Sequence, residues 1–387
     1  MESFEKKTYR NVFAELGKSP EEIEGRLAEI VDTFFYREGE KVFFPVGEDM
    51  AYIEDTGNVD ARTEGMSYGM MMSVQLDKKE EFDRLWKWAK TYMWMEQGEN
   101  EGYFAWSCAP DGKKNSWGPA PDGEEFFAMA LFFAAHRWGN GVGIFDYERE
   151  ARDILRACLH KGENGRPGQP MWSRENHQIL FVPGSPFTDP SYHLPHFYEL
   201  FALWADEEDR DFWKKAAEVS RRYLAKACHP VTGMSAEYAE FDGRPMSKLL
   251  WSNQRHDWFF SDAYRTVANI GLDYEWFGED LGQRAAAERL QRFLGESDNP
   301  FRIYEIDGTP VDHEALHPVG ITVTTAQGAL AVSERLDGGE LSEAGQQARM
   351  WAERFWEQPM RKGKYRYYDN CLYLFAFLAL SGKYRIW

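Results

Sequence analysis

Gly65-Met66-Ser67-Tyr68-Gly69-Met70-Met71-Met72-Ser73-Val74-Gln75-Leu76 is apolar nearly all round a helical wheel, and after Asp77-Lys78 comes Lys79 to Trp94, charged along one face. A helix without a solvated face has to be buried on all sides, whereas an amphipathic one lies between a core and water. The same pairing recurs along the chain. Charged amphipathic segments run from Ser19-Pro20 to Phe35, Lys79 to Trp94, Tyr147 to His160, Glu208 to Lys226, Asp280 to Leu294 and Ser342 to Trp356. Apolar ones run from Gly65 to Leu76, Gly123 to Trp138, Ser191 to Ala205, Phe259 to Leu272, Val319 to Ser333 and Tyr367 to Ser381. Six of each, alternating, predict an inner ring inside an outer ring: an all-α (α/α)6 barrel, with residues 1–387 as one domain. Strand signals are short, around Lys41 to Phe44, Gln178 to Val182 and Arg302 to Ile306.

Closing such a barrel brings the N-terminal ends of the inner helices to one mouth. The residues at those starts are Glu64, Asp122, Tyr192, Asp262, His317 and Tyr368, roughly one hairpin apart. They are therefore expected to meet in one cleft. Asp and Ser at helix starts also serve simply as N-caps, but Glu is not a favoured cap residue, so capping explains Glu64 least. Asp262 is expected inside the first turn of its helix with Arg265, three residues on, as its ion-pair partner; a purely structural pair is the alternative.

Two carboxyl groups across an aromatic cleft are the equipment for cleaving a glycosidic bond. The acid has to keep its proton near neutral pH, which a helix N-terminus opposes, so Glu64 needs burial or nearby negative charge such as Asp122. Asp262 is the candidate base, with Tyr192 placed to help hold the attacking water.

Bulk properties narrow the partners. Lys and Arg number 45 against 64 Asp and Glu, a net charge of −19, and no basic run appears, which argues against nucleic acid or an anionic membrane. Aromatic residues at 16% exceed what an ordinary core needs and suggest flat rings on which sugars stack. Met1-Glu2-Ser3-Phe4-Glu5-Lys6-Lys7 shows no apolar export signal and no later stretch is long enough to span a bilayer, so a cytoplasmic location is expected. Cys108, Cys158, Cys228 and Cys371 are scattered without zinc spacing and read as buried thiols. His193 and His196 lack a clear third ligand and read as packing or hydrogen-bonding histidines, and no phosphate loop occurs.

Arg62-Thr63-Glu64-Gly65-Met66-Ser67-Tyr68-Gly69-Met70, Asn115-Ser116-Trp117 with Pro121-Asp122-Gly123-Glu124, Asp189-Pro190-Ser191-Tyr192, Ser261-Asp262-Ala263-Tyr264-Arg265 and Arg366-Tyr367-Tyr368-Asp369-Asn370 together resemble glycoside hydrolase family 8, whose members are inverting (α/α)6-barrel enzymes. The resemblance extends from about Leu27 to Tyr384. It implies Glu64 as proton donor, Asp262 as base, Asp122 binding the distorted sugar, and Tyr192 and Arg265 positioning water and base. Arg62, Trp106, Trp117 and Tyr368 would line the sugar sites. One departure stands out: many members read Ser-Asp-Ala-Asp where this chain has Pro121-Asp122-Gly123-Glu124.

Within the family, Glu314-Ala315-Leu316-His317-Pro318-Val319-Gly320 resembles the loop of enzymes that release xylose from reducing ends. There a Leu-His-Pro segment blocks the cleft beyond one leaving-side sugar and the histidine recognises the terminal hydroxyl. That implies Leu316, His317 and Pro318 as substrate-binding residues, a xylooligosaccharide of three or more units as substrate, and no metal or organic cofactor. An endo-acting xylanase, glucanase or chitosanase of the same fold, a non-catalytic sugar-binding barrel, and an isomerase or lyase using its histidine pair are the alternatives.

Overall fold

Ser19 starts the first long helix with a capping box: its Oγ accepts the Glu22 N–H at 3.2 Å, and the Glu22 carboxylate accepts the Ser19 N–H at 2.8 Å. Pro20 then sits at the first helical position, where its missing N–H costs nothing. In the computed structural model, which describes residues 3–247 and 255–387, twelve helices of ten residues or more follow this pattern of outer and inner partners. In chain order they are α1 (Pro20–Phe35), α2 (Thr63–Gln75), α3 (Lys79–Trp88), α4 (Pro121–Trp138), α5 (Tyr147–His160), α6 (Pro195–Trp204), α7 (Arg210–Ala227), α8 (Arg265–Phe277), α9 (Arg284–Glu296), α10 (Pro318–Gln327), α11 (Glu343–Glu357) and α12 (Arg366–Leu380).

Odd-numbered helices bury one stripe: α1 buries Ile23, Leu27, Ile30 and Phe34, at spacings of three and four. Even-numbered helices are covered almost completely, α12 from Tyr367 through Leu380 and α2 everywhere except Glu64. The even set forms a closed ring, α2 against α4, then α6, α8, α10 and α12, with α12 returning to α2. This is the (α/α)6 barrel expected from the alternation.

Short strands trim the mouth. β1 (Phe43–Val46) pairs antiparallel with β2 (Met50–Ile53), and β3 (Ala61–Arg62) with β4 (Ser107–Cys108). β5 (Trp258–Phe259), β6 (Arg302–Glu305) and β7 (Pro310–Glu314) form a three-stranded sheet leading into Ser261. The Gln178 to Val182 segment is not a strand. It holds a single bridge, Ile179 to Trp172; the chain turns at His177 with φ 60°, and Pro183 has no N–H to extend a ladder.

Three inner helices are also interrupted where the periodicity predicted continuous runs. Pro190–Tyr192 is a separate 3-10 turn and α6 starts at Pro195, because the residue before a proline is pushed out of the helical region. Ser261–Tyr264 is likewise a 3-10 turn, preceded by strand rather than helix. Ser261 has φ 46°, left-handed for a residue with a Cβ, so no helix passes through it. Asp262 therefore stands in this turn, just ahead of α8. The third run divides at Gly328, a poor helix former, into α10 and a 3-10 turn over Gly328–Ala331.

Gly271 lets α8 approach α10: a Cβ there would lie 2.6 Å from the Gln327 carbonyl oxygen. Backbone cannot swing aside as a side chain does, so Gly271→Ala is expected to destabilise by about 1–3 kcal/mol. Chemical denaturation of the two proteins measures this directly.

Candidate active site

The inner-helix starts converge on a cavity of about 700 Å³ whose walls include Glu64, Asp122, Tyr192, Asp262, His317 and Tyr368. All six residues expected to meet do so. Glu64, Asp122 and Asp262 share one neighbour, Arg265, the first residue of α8, buried beneath them. Its Nη1 donates to Glu64 Oε2 at 2.9 Å and to Tyr68 Oη at 2.6 Å, and lies 3.4 Å from Asp122 Oδ2. Its Nη2 donates to Ser191 Oγ at 2.9 Å and pairs with Asp262 Oδ2 at 3.3 Å. Glu64 and Tyr68 are one turn apart on α2, so both present to the same guanidinium. One guanidinium spans Glu64 and Asp262, which keeps their nearest oxygens inside the ~9.5 Å upper limit of an inverting pair.

Tyrosines complete the hold on the carboxylates. Tyr367 donates its hydroxyl to Glu64 Oε1 at 2.7 Å. Tyr368 Oη lies 3.2 Å from the Ser261 carbonyl and 3.4 Å from Asp262 Oδ1. The left-handed Ser261 thus aims Asp262 into the cavity, a local strain that a surrounding network has to sustain.

Burial controls the electrostatics. It pushes Glu64 from 4.5 up to about 7, against the pull of Arg265 and the Tyr367 hydrogen bond, with Asp262 and then Asp122 adding repulsion. Asp262 is the larger of those two charges, where the sequence had suggested Asp122. The helix N-terminus favours an ionised Glu64 by only about 0.3–1 kcal/mol, too little to reverse this. Asp122 is pushed up to about 6, again by burial first. Glu124, the departure in the Asp122 motif, faces away: its Oε1 accepts the Phe104 N–H at 2.9 Å and it does not line the cavity.

The remaining expectations divide. Arg62 pairs with Asp55 at 3.2 Å and Asp60 at 3.1 Å, and its guanidinium stands 5.3 Å from the Trp106 ring centroid, bracing a tryptophan that lines the cavity. The Thr63 N–H bonded to the Trp106 carbonyl ties that platform to α2. Leu316 and His317 line the cavity. His317 Nδ1 lies 3.1 Å from Asp369 Oδ2, and Arg361 binds both Asp369 and the Leu316 carbonyl. Two residues fall elsewhere. Trp117 is 67% exposed and outside the lining, its carbonyl bound by Asn100 and its ring beneath Lys114. Pro318 also stands off the cavity because it is consumed in starting α10. Asp257 is paired with Arg255 and does not line the site.

Other lining residues carried no helix-start signal. Asp55, Asn58, Phe181, Glu237 and Tyr238 come from loops, and Tyr365 is the residue before α12. Glu237 meets His256 Nδ1 at 2.6 Å, and burial raises its pKa well above the usual carboxylate range. Tyr367 was within reach of the sequence reading, being adjacent to Tyr368. His193 hydrogen-bonds Thr188 and Ser220, and no cluster able to hold a metal ion occurs among the described residues.

Comparison with known proteins shows the family of this chain. The model of the family described as glycosyl hydrolases family 8 matches residues 48–382. The chain is 52% identical over 388 residues to a reducing end xylose-releasing exo-oligoxylanase of Halalkalibacterium halodurans, covering 100% of this chain and 96% of the relative. It is 54% identical to a reducing-end xylose-releasing exo-oligoxylanase of Paenibacillus barcinonensis, covering 98% and 97%. The solved structure of the latter, complexed with xylose, superposes with a TM-score of 0.93 at 52% identity over 100% of this chain and 99% of that one.

Between pH 4.5 and 7 the folded Glu64 holds a proton that the unfolded chain has released, so this group's contribution to stability falls as pH rises. The stability of Glu64→Gln relative to the parent should therefore grow by about 2 kcal/mol from pH 5 to pH 8. Urea unfolding at the two pH values checks the sign and size.

Proposed function

This chain belongs to family 8 of the glycosyl hydrolases, and from that premise we propose that it hydrolyses β-1,4-xylooligosaccharides of three or more units, releasing one xylose from the reducing end with inversion. The observation that carries the reading is one buried guanidinium holding Glu64, Asp122 and Asp262 around a single cavity.

In this mechanism Glu64, about half protonated at neutral pH, gives its proton to the glycosidic oxygen as the bond to C1 breaks. Asp262 takes a proton from water, whose oxygen bonds to C1 from the opposite face. Arg265 orients both groups and offsets the charge that develops between them. Asp122 hydrogen-bonds the distorted sugar. Tyr192, buried beside Asp262, positions the water, and Tyr368 fixes the base. Trp106, braced by Arg62, supplies a stacking face.

The exo preference is assigned to Leu316 and His317. The buried Asp369 carboxylate facing His317 Nδ1 holds the N–H there, which turns Nε2 outward as an acceptor for a sugar hydroxyl. The exposed Leu316, its carbonyl anchored by Arg361, limits the leaving side to one unit. We also propose residues 1–387 as one catalytic domain, supported by a core that runs continuously from Val12 to Ile386. A cytoplasmic site of action is supported by four buried, unpaired cysteines among the described residues.

Xylotriose labelled at its reducing end tests the reaction. Labelled xylose with unlabelled xylobiose bearing new α-configured ends is the expected result; label in xylobiose, or mixed products at early times from longer chains, contradicts it. Glu64→Gln and Asp262→Asn should each lower kcat by about 10²–10⁴-fold with folding intact.

A further inference from the structure

Beneath Arg265, on the barrel axis, lies a second and much smaller cavity of about 40 Å³ to which all six inner helices contribute. Tyr68 comes from α2, Glu125 from α4, His196 from α6, Arg265 and Asn269 from α8, Thr324 and Gln327 from α10, and Phe375 from α12. Three polar atoms on its walls are buried and have no hydrogen-bond partner: Arg265 Nε, Glu125 Oε1 and His196 Nδ1. A buried polar atom left without a partner is strongly unfavourable unless something satisfies it. Three of them on one cavity mark a polar site that none of the neighbouring side chains completes.

The volume decides the ligand. A water needs about 10–15 Å³ of this kind of space and two to four polar partners, so one or two waters fit and a sugar does not. We propose that this cavity is a structural water site through which Glu125 positions Arg265. The proton arithmetic closes without any charge change. Arg265 Nε–H donates to the water, and the water donates to Glu125 Oε1 and to His196 Nδ1. His196 is held neutral, its affinity for a proton lowered by burial to about 3, and burial keeps Glu125 protonated. The Glu125 proton then sits on Oε2, 3.1 Å from Tyr198 Oη, and the Tyr198 hydroxyl in turn donates to the Tyr192 carbonyl at 3.0 Å. One carboxyl thereby braces the guanidinium on one side and the Tyr192 backbone on the other. Glu125 touches no substrate and is a positioning residue.

This proposal rests on the reading of Arg265 as the group that orients Glu64 and Asp262, and its two tests separate the parts. First, a crystal structure that resolves ordered water is expected to show density within hydrogen-bond distance of Arg265 Nε and Glu125 Oε1. A dry cavity overturns the proposal whatever the enzyme cleaves. Second, Glu125→Leu removes both hydrogen bonds at similar volume and should lower kcat on xylotriose by about 10–10²-fold with KM little changed, because a misplaced guanidinium affects chemistry more than binding. Glu125→Gln, whose amide donates to Tyr198 while its carbonyl accepts from water, should restore most of the rate. Equal loss in both variants, or an unaltered kcat in a folded Glu125→Leu protein, overturns the positioning role. If the unmutated protein leaves xylooligosaccharides intact, the reading of the reaction fails while the density still decides the water site.

Discussion

Everything at the mouth of this barrel depends on one charge balance: a single buried arginine faces one buried carboxyl group, Asp122, and two partly buried ones, Glu64 and Asp262. Fully ionised, Glu64, Asp122, Asp262 and Arg265 would leave two net negative charges out of water, far more costly than any hydrogen bond there offsets. Burial first, with repulsion from Asp262 added, raises Glu64 to about 7 and Asp122 to about 6, and the protons they retain relieve the imbalance. The feature that makes the cluster expensive to build is thus the one that gives a carboxyl group a transferable proton at working pH. Arg265 occupies this position because Ser261 takes a left-handed turn and delays the helix until residue 265.

A second layer of order comes from the ring tightening around that cluster. α12 supplies Tyr367 to one carboxylate and Tyr368 to another, while Asp369 on the same turn reaches the Leu316–His317 rim. Three consecutive residues of one helix therefore serve Glu64, Asp262 and the edge of the cleft. Such economy follows from the geometry of a helix start, where successive side chains fan outward over a common mouth.

How much of this was visible beforehand follows from which physical signals are local. Alternating buried and half-buried helices leave a periodic trace, so the barrel and the convergence of Glu64, Asp122, Tyr192, Asp262, His317 and Tyr368 could be read from residue spacing. Breaks within helices were less legible: Pro195 carries a local signal that the all-round apolar pattern masked, and Ser261 carries none. Loop residues such as Glu237, Tyr238 and Asp55 reach the cavity through long-range packing that no periodicity records. Trp117 shows the converse case. A tryptophan inside a matching motif invites a binding role, yet this one lies on the surface beneath Lys114, beyond the cavity wall.

The closure of α12 onto α2 also dictates when the catalytic centre comes into being. Residues beyond α12 fold back to the far end of α2, where Gln75 Oε1 accepts the Arg385 N–H at 2.9 Å and Tyr9 Oη accepts the Ile386 N–H at 2.9 Å. The helix that carries Glu64 at one end is therefore clasped at the other by Arg385 and Trp387. Tyr367 emerges from a ribosome some three hundred residues after Glu64, whose carboxylate it braces. A nascent chain thus holds Glu64 and Asp262 long before it can align them, and activity should appear abruptly, in step with the docking of α12.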